Sequence, residues 1–225
     1  MISHVEKIIV PEIPKCGSSS AYAWLKGQDR TIMRRDHAPL IDYRNWCNVE
    51  DDYHVMLIGR NPYTRAVSAY EYAQYAENNS NLRGKRVMTS NFQEWYQHLE
   101  YGDLAKSNTT QSLTLDEQND EYLDASFRPQ YSFINYFDDT RSHANVRCDD
   151  LLKNSEFIRL EEADFLPKVN THKRTLEKRS YEIKNWDYYY TDMDIVTQIQ
   201  LLYAEDFTLW GYDPKINPYT EEQWL

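Results

Sequence analysis

The sequence predicts an α/β fold in which helices flank a mainly parallel central sheet. Short apolar runs, such as residues 8–10 and 55–58, have the length of strands, and continuous apolar strands are typical of parallel sheets buried on both faces. Segments with helical hydrophobic spacing alternate with these strands along the chain, as in α/β proteins. Because no stretch rich in Gly, Pro or Ser marks a boundary, we expect residues 1–225 to form one domain.

The chain begins with a predicted strand and helix. Residues 7–13 have the pattern of a short buried strand, and the serines that start at Ser18 begin a helix that Gly27 would end. Residues 31–34 are predicted to form a second short strand. The turn between the first strand and the helix spans residues 14–17.

A third strand and a long helix follow. Residues 53–59 are apolar enough for a strand covered on both faces. Asn61 is then a suitable N-cap, and Pro62 falls where the first helical turn accepts proline. The helix places one stripe of apolar residues toward the core: Tyr63, Ala66, Val67, Tyr70 and Ala73.

Two polar segments without periodicity, residues 77–91 and 103–121, are predicted to be long loops of the kind that often cover binding sites. Between them, Asn91 and Glu94 have the spacing of a capping pair for a helix that Gly102 would close. This helix would carry Phe92, Trp95, Tyr96 and Leu99.

The C-terminal third is predicted to contain one more strand, at residues 156–160, and a strong helix. The helix would begin at Thr191, with Asp194 as its capping partner, and would stop near Gly211. Its apolar positions are Ile195, Val196, Ile199, Leu202 and Tyr203.

Composition excludes several classes of protein. Hydrophobic residues make up 41% of the chain and aromatic residues 14%, which rules out a disordered or collagen-like protein. The apolar runs are far shorter than the roughly 20 residues of a membrane helix, and residues 1–7 lack the pattern of a secretory signal. We therefore expect a cytoplasmic protein without a membrane partner.

Charge and cysteines constrain partners further. The chain has 25 basic and 36 acidic residues, a net charge of −11, which disfavours non-specific binding to nucleic acid. An anionic ligand must therefore be held by a local basic site. Cys16, Cys47 and Cys148 are widely spaced and suit neither a disulfide framework nor a zinc site, so we expect reduced thiols.

The predicted turn before the first helix has the features of an anion site. It reads Pro14-Lys15-Cys16-Gly17-Ser18-Ser19-Ser20, and a helix N-terminus after a strand presents free N–H groups to an anion. The lysine and the serine hydroxyls add charge and donors. The motif is not that of nucleotide triphosphatases, because no Lys-Ser or Lys-Thr pair follows the glycine. The alternative is a plain turn whose serines only cap the helix.

A second segment, at residues 60–70, adds to the evidence for an anion site. Arg60 follows a buried strand at the edge where open α/β sheets bind ligands, and Ser68 lies about two helical turns further on. An arginine at this point can bind two phosphate oxygens, and a serine can donate a further bond. The alternative is a capped helix with solvated arginines, which leaves the first loop unexplained.

Together the two segments resemble the sulfotransferases that use 3′-phosphoadenosine 5′-phosphosulfate, matching P-K-x-G-(S/T)-(S/T)-(S/T) and R-x-P-x-x-R-x-x-S without a gap. Further likeness, to the carbohydrate-type, Golgi-related branch and its bacterial relatives, lies in residues 127–130, 157–161, 166–170 and 203–212. The resemblance implies an α/β fold with a strand–loop–helix phosphate site similar to a P-loop. It also implies that Lys15 and the loop residues Cys16, Gly17, Ser18, Ser19 and Ser20 bind the 5′-phosphosulfate, and that Arg60 and Ser68 bind the 3′-phosphate.

The resemblance also implies a catalytic base, for which we select His37, since related enzymes carry a histidine or glutamate in this region. Lys15 would supply positive charge to the reacting group, so it is a second predicted catalytic residue. A surface histidine is the alternative, with Asp36 and Asp42 as substitute bases. Further basic residues that could contact an anionic acceptor or the nucleotide are Arg34, Arg35, Lys168, Lys173 and Arg174.

The predicted activity is therefore transfer of a sulfuryl group to a hydroxyl of a sugar or another small acceptor. The six histidines show no metal-binding spacing, so no catalytic metal is expected. Two rivals remain: a nucleotide or sugar kinase with an altered phosphate loop, against which the missing Gly-Lys-Ser/Thr counts, and a non-catalytic module that binds a phosphorylated nucleotide.

Overall fold

The computed structural model describes residues 1–34, 37–44, 52–78, 91–97, 128–134, 149–168 and 186–215. Four strands in these residues form one sheet in the order β1-β2-β3-β4. β1 pairs antiparallel with β2, whereas β2, β3 and β4 run parallel. The predicted α/β class with a mainly parallel sheet is confirmed. The strands are β1 (Ile2–Ser3), β2 (Ile8–Ile9), β3 (His54–Gly59) and β4 (Ser155–Arg159).

Helices precede and follow these strands. They are α1 (Ser18–Gln28), α2 (Leu40–Arg44), α3 (Pro62–Asn78), α4 (Phe92–Gln97), α5 (Asp149–Leu152), α6 (Trp186–Tyr189), α7 (Met193–Leu202) and α8 (Ala204–Leu209). Two short 3₁₀ helices, Gln130–Phe133 and Leu160–Glu162, complete the described elements. The predicted loops at residues 77–91 and 103–121 lie almost wholly outside the described residues.

The first predicted strand is shorter than expected, and the prediction of a second strand at residues 31–34 is wrong. β2 stops at Ile9 because Pro11 has no N–H to give to a neighbouring strand, and the Ile13 N–H donates to the Pro11 carbonyl in a tight turn, at 3.1 Å. The segment 31–34 is not a strand. Met33 alone pairs with Ile2, through two hydrogen bonds of 2.9 and 3.0 Å, as an isolated antiparallel bridge.

β3 is buried on both faces, as predicted. Val55 and Leu57 join one apolar cluster with residues of α2 and the 3₁₀ helix 130–133. Met56 and Ile58 point to the opposite cluster, which includes residues of α1. Because successive side chains of a strand point to opposite faces, this one apolar run packs into two separate apolar clusters.

The helix starts largely follow the predicted signals. Asn61 caps α3, since its side-chain Oδ1 accepts the Tyr63 N–H at 3.0 Å, and Pro62 is the first helical residue. Asn91 accepts the Glu94 N–H at 2.8 Å at the start of α4. The predicted close of that helix at Gly102 lies outside the described residues.

The ends of the other predicted helices shift. α1 passes through Gly27 and ends at Gln28. α7 is capped by Asp192, which accepts the Asp194 N–H at 2.8 Å, so the cap lies one residue after Thr191. The predicted single helix from there to Gly211 is wrong, because Tyr203 leaves helical geometry and separates α7 from α8.

A third cluster of buried side chains joins α3, α4 and the C-terminal helices, and most of its members are aromatic. Its rings meet edge to face, for example Tyr63 with Phe207 at 5.2 Å and Phe92 with Tyr190 at 5.2 Å between centroids. None of the described helices combines the length and the apolar character required to cross a membrane. The aromatic cluster fixes α3, whose first turn forms part of the site described next.

Candidate functional site

The candidate site lies at the edge of the sheet where the three parallel strands end. β2 leads into the turn at residues 14–17, β3 ends at Gly59 and is followed by Arg60, and β4 is followed by Leu160. Ligands of open α/β sheets bind at the carboxyl ends of strands. The topology therefore brings the two sequence motifs to one edge.

The turn after β2 has an unusual backbone. Lys15 has a φ of 65° and Gly17 a φ of 76°, both in the left-handed region. The positive φ favours glycine at position 17, and a β-carbon there would lie 2.5 Å from Leu160 Cδ1, so a larger residue would also have to displace the Leu160 side chain. The turn is thus packed against Leu160, the residue that follows β4.

α1 begins directly after this turn. Ser18, Ser19 and Ser20 form its first turn, and each is partly exposed. The first N–H groups of a helix have no acceptor within the helix, and its dipole makes this end positive. No side chain caps the helix at Gly17. This end of α1 is chemically suited to an anion.

Cys16 occupies a different position from its neighbours. Its thiol is buried and donates to Gln130 Oε1 at 3.0 Å, and its backbone N–H donates to the Ile13 carbonyl at 3.3 Å. Burial raises the pKa of the thiol to about 12, so the thiol stays protonated. The family resemblance implied that Cys16 binds the nucleotide, whereas its side chain lies in the core behind the turn.

Lys15 is the residue of the turn whose ionisation is most perturbed. Burial lowers the pKa of its ammonium group to about 7, and the nearby Arg60 and Arg65 guanidinium groups lower it further. Three basic groups therefore lie together at this edge although the net charge of the chain is −11, and repulsion by the two arginines disfavours the charged form of Lys15. An anion placed here would relieve that repulsion.

Arg60 connects the two motifs. Its Nη1 lies 3.5 Å from the Lys15 carbonyl, and its Nε donates to Thr64 Oγ1 at 3.1 Å. The Lys15 turn and the start of α3 are thus in direct contact. Ser68 lies in the second turn of α3 and is partly buried.

Arg65, the second arginine of the α3 motif, is buried rather than solvated. It is 2% exposed, and its Nε donates to the Pro14 carbonyl at 3.0 Å while its Nη1 donates to the Arg128 carbonyl at 2.8 Å. Arg65 had no predicted role. The available signal was its place among the apolar residues of α3, where a charge needs buried partners.

Two further residues that sequence analysis missed lie behind Arg60. Gln130 and Asp206 are both fully buried. The Asp206 carboxylate accepts the N–H groups of Gln130 at 2.8 Å and Tyr131 at 2.9 Å. Burial raises the pKa of Asp206 to about 6, although the Arg65 guanidinium opposes this shift. The pair fixes the segment at residues 128–131 behind the two motifs.

Glu161 fixes the start of α3 from the side of β4. Its Oε1 accepts the Asn61 N–H at 3.1 Å, and its Oε2 accepts the Tyr212 hydroxyl proton. Glu161 and Tyr212 lie in the segments 157–161 and 203–212, which resemble the family. The likeness in the C-terminal half therefore corresponds to residues that support the site.

His37 is held by the strand-to-helix segment itself. Its Nδ1 lies 2.9 Å from the Glu12 carbonyl. A carbonyl only accepts, so Nδ1 carries the proton and the neutral ring keeps its lone pair on Nε2. The Glu12 side chain is buried and forms a salt bridge with Arg34, at 2.9 Å. The Glu12 carboxylate thus balances the positive charge of Arg34, one of the residues that were predicted as possible contacts of an anionic acceptor.

The remaining candidates are less informative. Asp42 lies in α2 and is partly buried, and Lys168 is exposed. Asp36, Arg35, Lys173 and Arg174 lie outside the described residues. Within the part of the chain that the structure describes, no group of three His, Cys, Asp or Glu side chains is placed to hold a metal ion.

Comparison with known proteins gives one match. A family model described as the sulfotransferase family matches residues 1–213 of the chain. Comparisons with curated proteins and with solved structures gave no match. The matched range contains every site residue described above.

Proposed function

The chain belongs to the sulfotransferase family, and from this premise we propose that it transfers a sulfuryl group from 3′-phosphoadenosine 5′-phosphosulfate to a hydroxyl of a sugar or another small acceptor. The contact of Arg60 Nη1 with the Lys15 carbonyl, at 3.5 Å, is the observation that supports this proposal most directly. It joins the two segments that would bind the two charged ends of one nucleotide.

The donor would lie across the edge of the sheet. Lys15, the N–H groups of the first turn of α1 and the hydroxyls of Ser18, Ser19 and Ser20 would bind its 5′-phosphosulfate. Arg60 and Ser68 would bind its 3′-phosphate. Cys16 and Gly17 would shape the turn that presents these donors, since the thiol faces the core and the glycine fits against Leu160. The protein groups named here are cations and neutral hydrogen-bond donors, which suits the binding of an anion.

His37 would act as the general base. With Nδ1 donating to the Glu12 carbonyl, the proton would be accepted at Nε2. As the acceptor oxygen bonds to sulfur, its proton would pass to Nε2. The bond between sulfur and the 5′-phosphate oxygen would break with its electron pair on that oxygen, which releases adenosine 3′,5′-bisphosphate. Lys15 would stabilise the negative charge that develops on the leaving oxygen.

Ligand-dependent thermal denaturation separates this proposal from the kinase. Adenosine 3′,5′-bisphosphate at 100 times its dissociation constant should stabilise the chain by about 2.7 kcal/mol. ATP with Mg²⁺ should stabilise it less. The Arg60→Met variant should lose the stabilisation by bisphosphate, whereas Arg30→Met, which removes an exposed arginine two residues after the end of α1, should keep it. Preference for ATP with Mg²⁺ would support the kinase instead.

Transfer itself separates an enzyme from a non-catalytic nucleotide-binding module. Incubation with donor labelled in its sulfuryl group and a panel of hydroxylated sugars and small alcohols should give a labelled acceptor. Binding of bisphosphate without transfer to any member of the panel would support the non-catalytic module.

A further inference from the structure

Gln130 has a side-chain amide whose hydrogen-bonding capacity is completely used by groups of the candidate site. Its Oε1 accepts the Arg60 N–H at 2.8 Å and the Cys16 thiol proton at 3.0 Å. Its Nε2 donates to the Arg60 carbonyl at 2.8 Å and to Asp206 Oδ2 at 3.3 Å. A glutamine amide offers two acceptor positions and two donor positions, and all four are filled here.

The Arg60 backbone fixes the orientation of this amide. Its N–H needs an acceptor and its carbonyl needs a donor, so Oε1 and Nε2 cannot exchange places. The amide thus pairs with Arg60 as a neighbouring strand would, at the point where β3 has ended. A residue with only acceptors or only apolar atoms cannot replace it without leaving a buried backbone group unpaired.

The same amide connects both halves of the site. Arg60 belongs to the segment before α3, and Cys16 belongs to the turn before α1. Gln130 lies 70 residues beyond Arg60 in the sequence, yet it bonds to both segments at once. Asp206 holds it from behind by accepting both its backbone N–H and its side-chain amide.

We propose that Gln130 is a positioning residue of the nucleotide site, which acts through Arg60 and Cys16 to set the spacing between the Lys15 turn and the start of α3. This inference rests on the proposed function, because it assigns Gln130 a role in holding apart the groups that would bind the two ends of the donor. Gln130 itself does not contact the donor in this assignment.

The test measures binding of adenosine 3′,5′-bisphosphate by calorimetry for the Gln130→Met chain, which keeps the side-chain volume and removes every bond of the amide. We expect the dissociation constant to rise by about 10- to 100-fold, by analogy with the loss of metal affinity when groups that orient metal ligands are removed. The KM for the donor should rise in parallel.

Gln93→Met is the matched control. Gln93 also connects parts of the chain that are distant in sequence, because it lies in α4 and its Nε2 donates to the Tyr189 carbonyl at 3.0 Å and to Thr191 Oγ1 at 2.6 Å, but it lies at the aromatic cluster. This variant should lower the melting temperature while the dissociation constant stays within about twofold of the unsubstituted chain. An equal loss of affinity in both variants would overturn the proposal, because the effect would then follow stability.

Asp206→Asn provides a second route to the same answer if Gln130→Met does not fold. It keeps the shape of the side chain and replaces one acceptor by a donor facing the N–H groups of Gln130 and Tyr131, so it should weaken bisphosphate binding. Loss of the fold in both variants would refute a role specific to the site. If the unsubstituted chain binds bisphosphate and both folded variants bind it equally well, the inference alone fails. If the unsubstituted chain does not bind it, the proposed function fails.

Discussion

Nucleotide binding should depend steeply on pH because of Lys15. Burial and the neighbouring arginines lower the pKa of its ammonium group to about 7 in the folded protein. A bound phosphate would stabilise the charged form and return the pKa toward its ordinary value of about 10.4. Binding must then be accompanied by proton uptake whenever the free lysine is neutral.

The size of the effect follows from the fraction of free Lys15 that is protonated. With a free pKa of about 7, this fraction falls from about one half at pH 7 to about 0.01 at pH 9, while the bound lysine stays charged. The dissociation constant of adenosine 3′,5′-bisphosphate should therefore rise about 50-fold between these pH values. At pH 8 each binding event should take up about 0.9 proton.

Isothermal titration calorimetry in two buffers of different ionisation enthalpy measures both quantities. Lys15→Arg is the control, because a guanidinium stays charged throughout this range and its affinity should hardly change between pH 7 and pH 9. A constant dissociation constant for the unsubstituted chain over that range, without proton uptake, would show that Lys15 does not bind the phosphate.

Three further outcomes are expected. His37→Ala should lower the rate of transfer by about 10²- to 10⁴-fold with unchanged bisphosphate affinity, and an undiminished rate would exclude His37 as the base. Gly59→Ala should destabilise the fold by about 1–3 kcal/mol in urea denaturation, because its β-carbon would overlap the Trp210 ring; an unchanged midpoint would contradict that packing. Hydrogen bonds from Ser3 and Thr31 lower the pKa of Asp29. The stability that this carboxylate contributes is therefore present above its unfolded pKa and is lost on acidification. Between pH 5 and pH 3, the melting temperature of the Asp29→Asn variant should fall less than that of the unsubstituted chain.

Much of the fold could be predicted because its signals are local. Asn61 and Pro62 mark a helix start through neighbouring residues alone, and the apolar run of β3 needs no knowledge of the rest of the chain. The early end of β2 also had a local signal, Pro11, which outweighed the apolar pattern around it. The break between α7 and α8 had none of comparable strength, since Tyr203 continues the apolar stripe.

The support of the site depends on contacts that are distant in sequence. Gln130 and Asp206 are 76 residues apart, and no spacing pattern links them. Both lie in segments that resemble the family, but their neighbours in the sequence give no sign that the two side chains are buried together. Arg65 illustrates the same limit: only solvated arginines were considered as the alternative to an anion site in this segment, whereas Arg65 is buried and donates to the Pro14 and Arg128 carbonyls.

The left-handed backbone of Lys15 bears on any attempt to engineer this protein. A residue with a β-carbon in that conformation costs roughly 1–2 kcal/mol, and its buried ammonium group adds to the cost below the lysine's ordinary pKa. Glycine would remove both penalties. A library selected only for heat resistance should therefore enrich Lys15→Gly, and the selected variants would be more stable but would bind an anion less tightly.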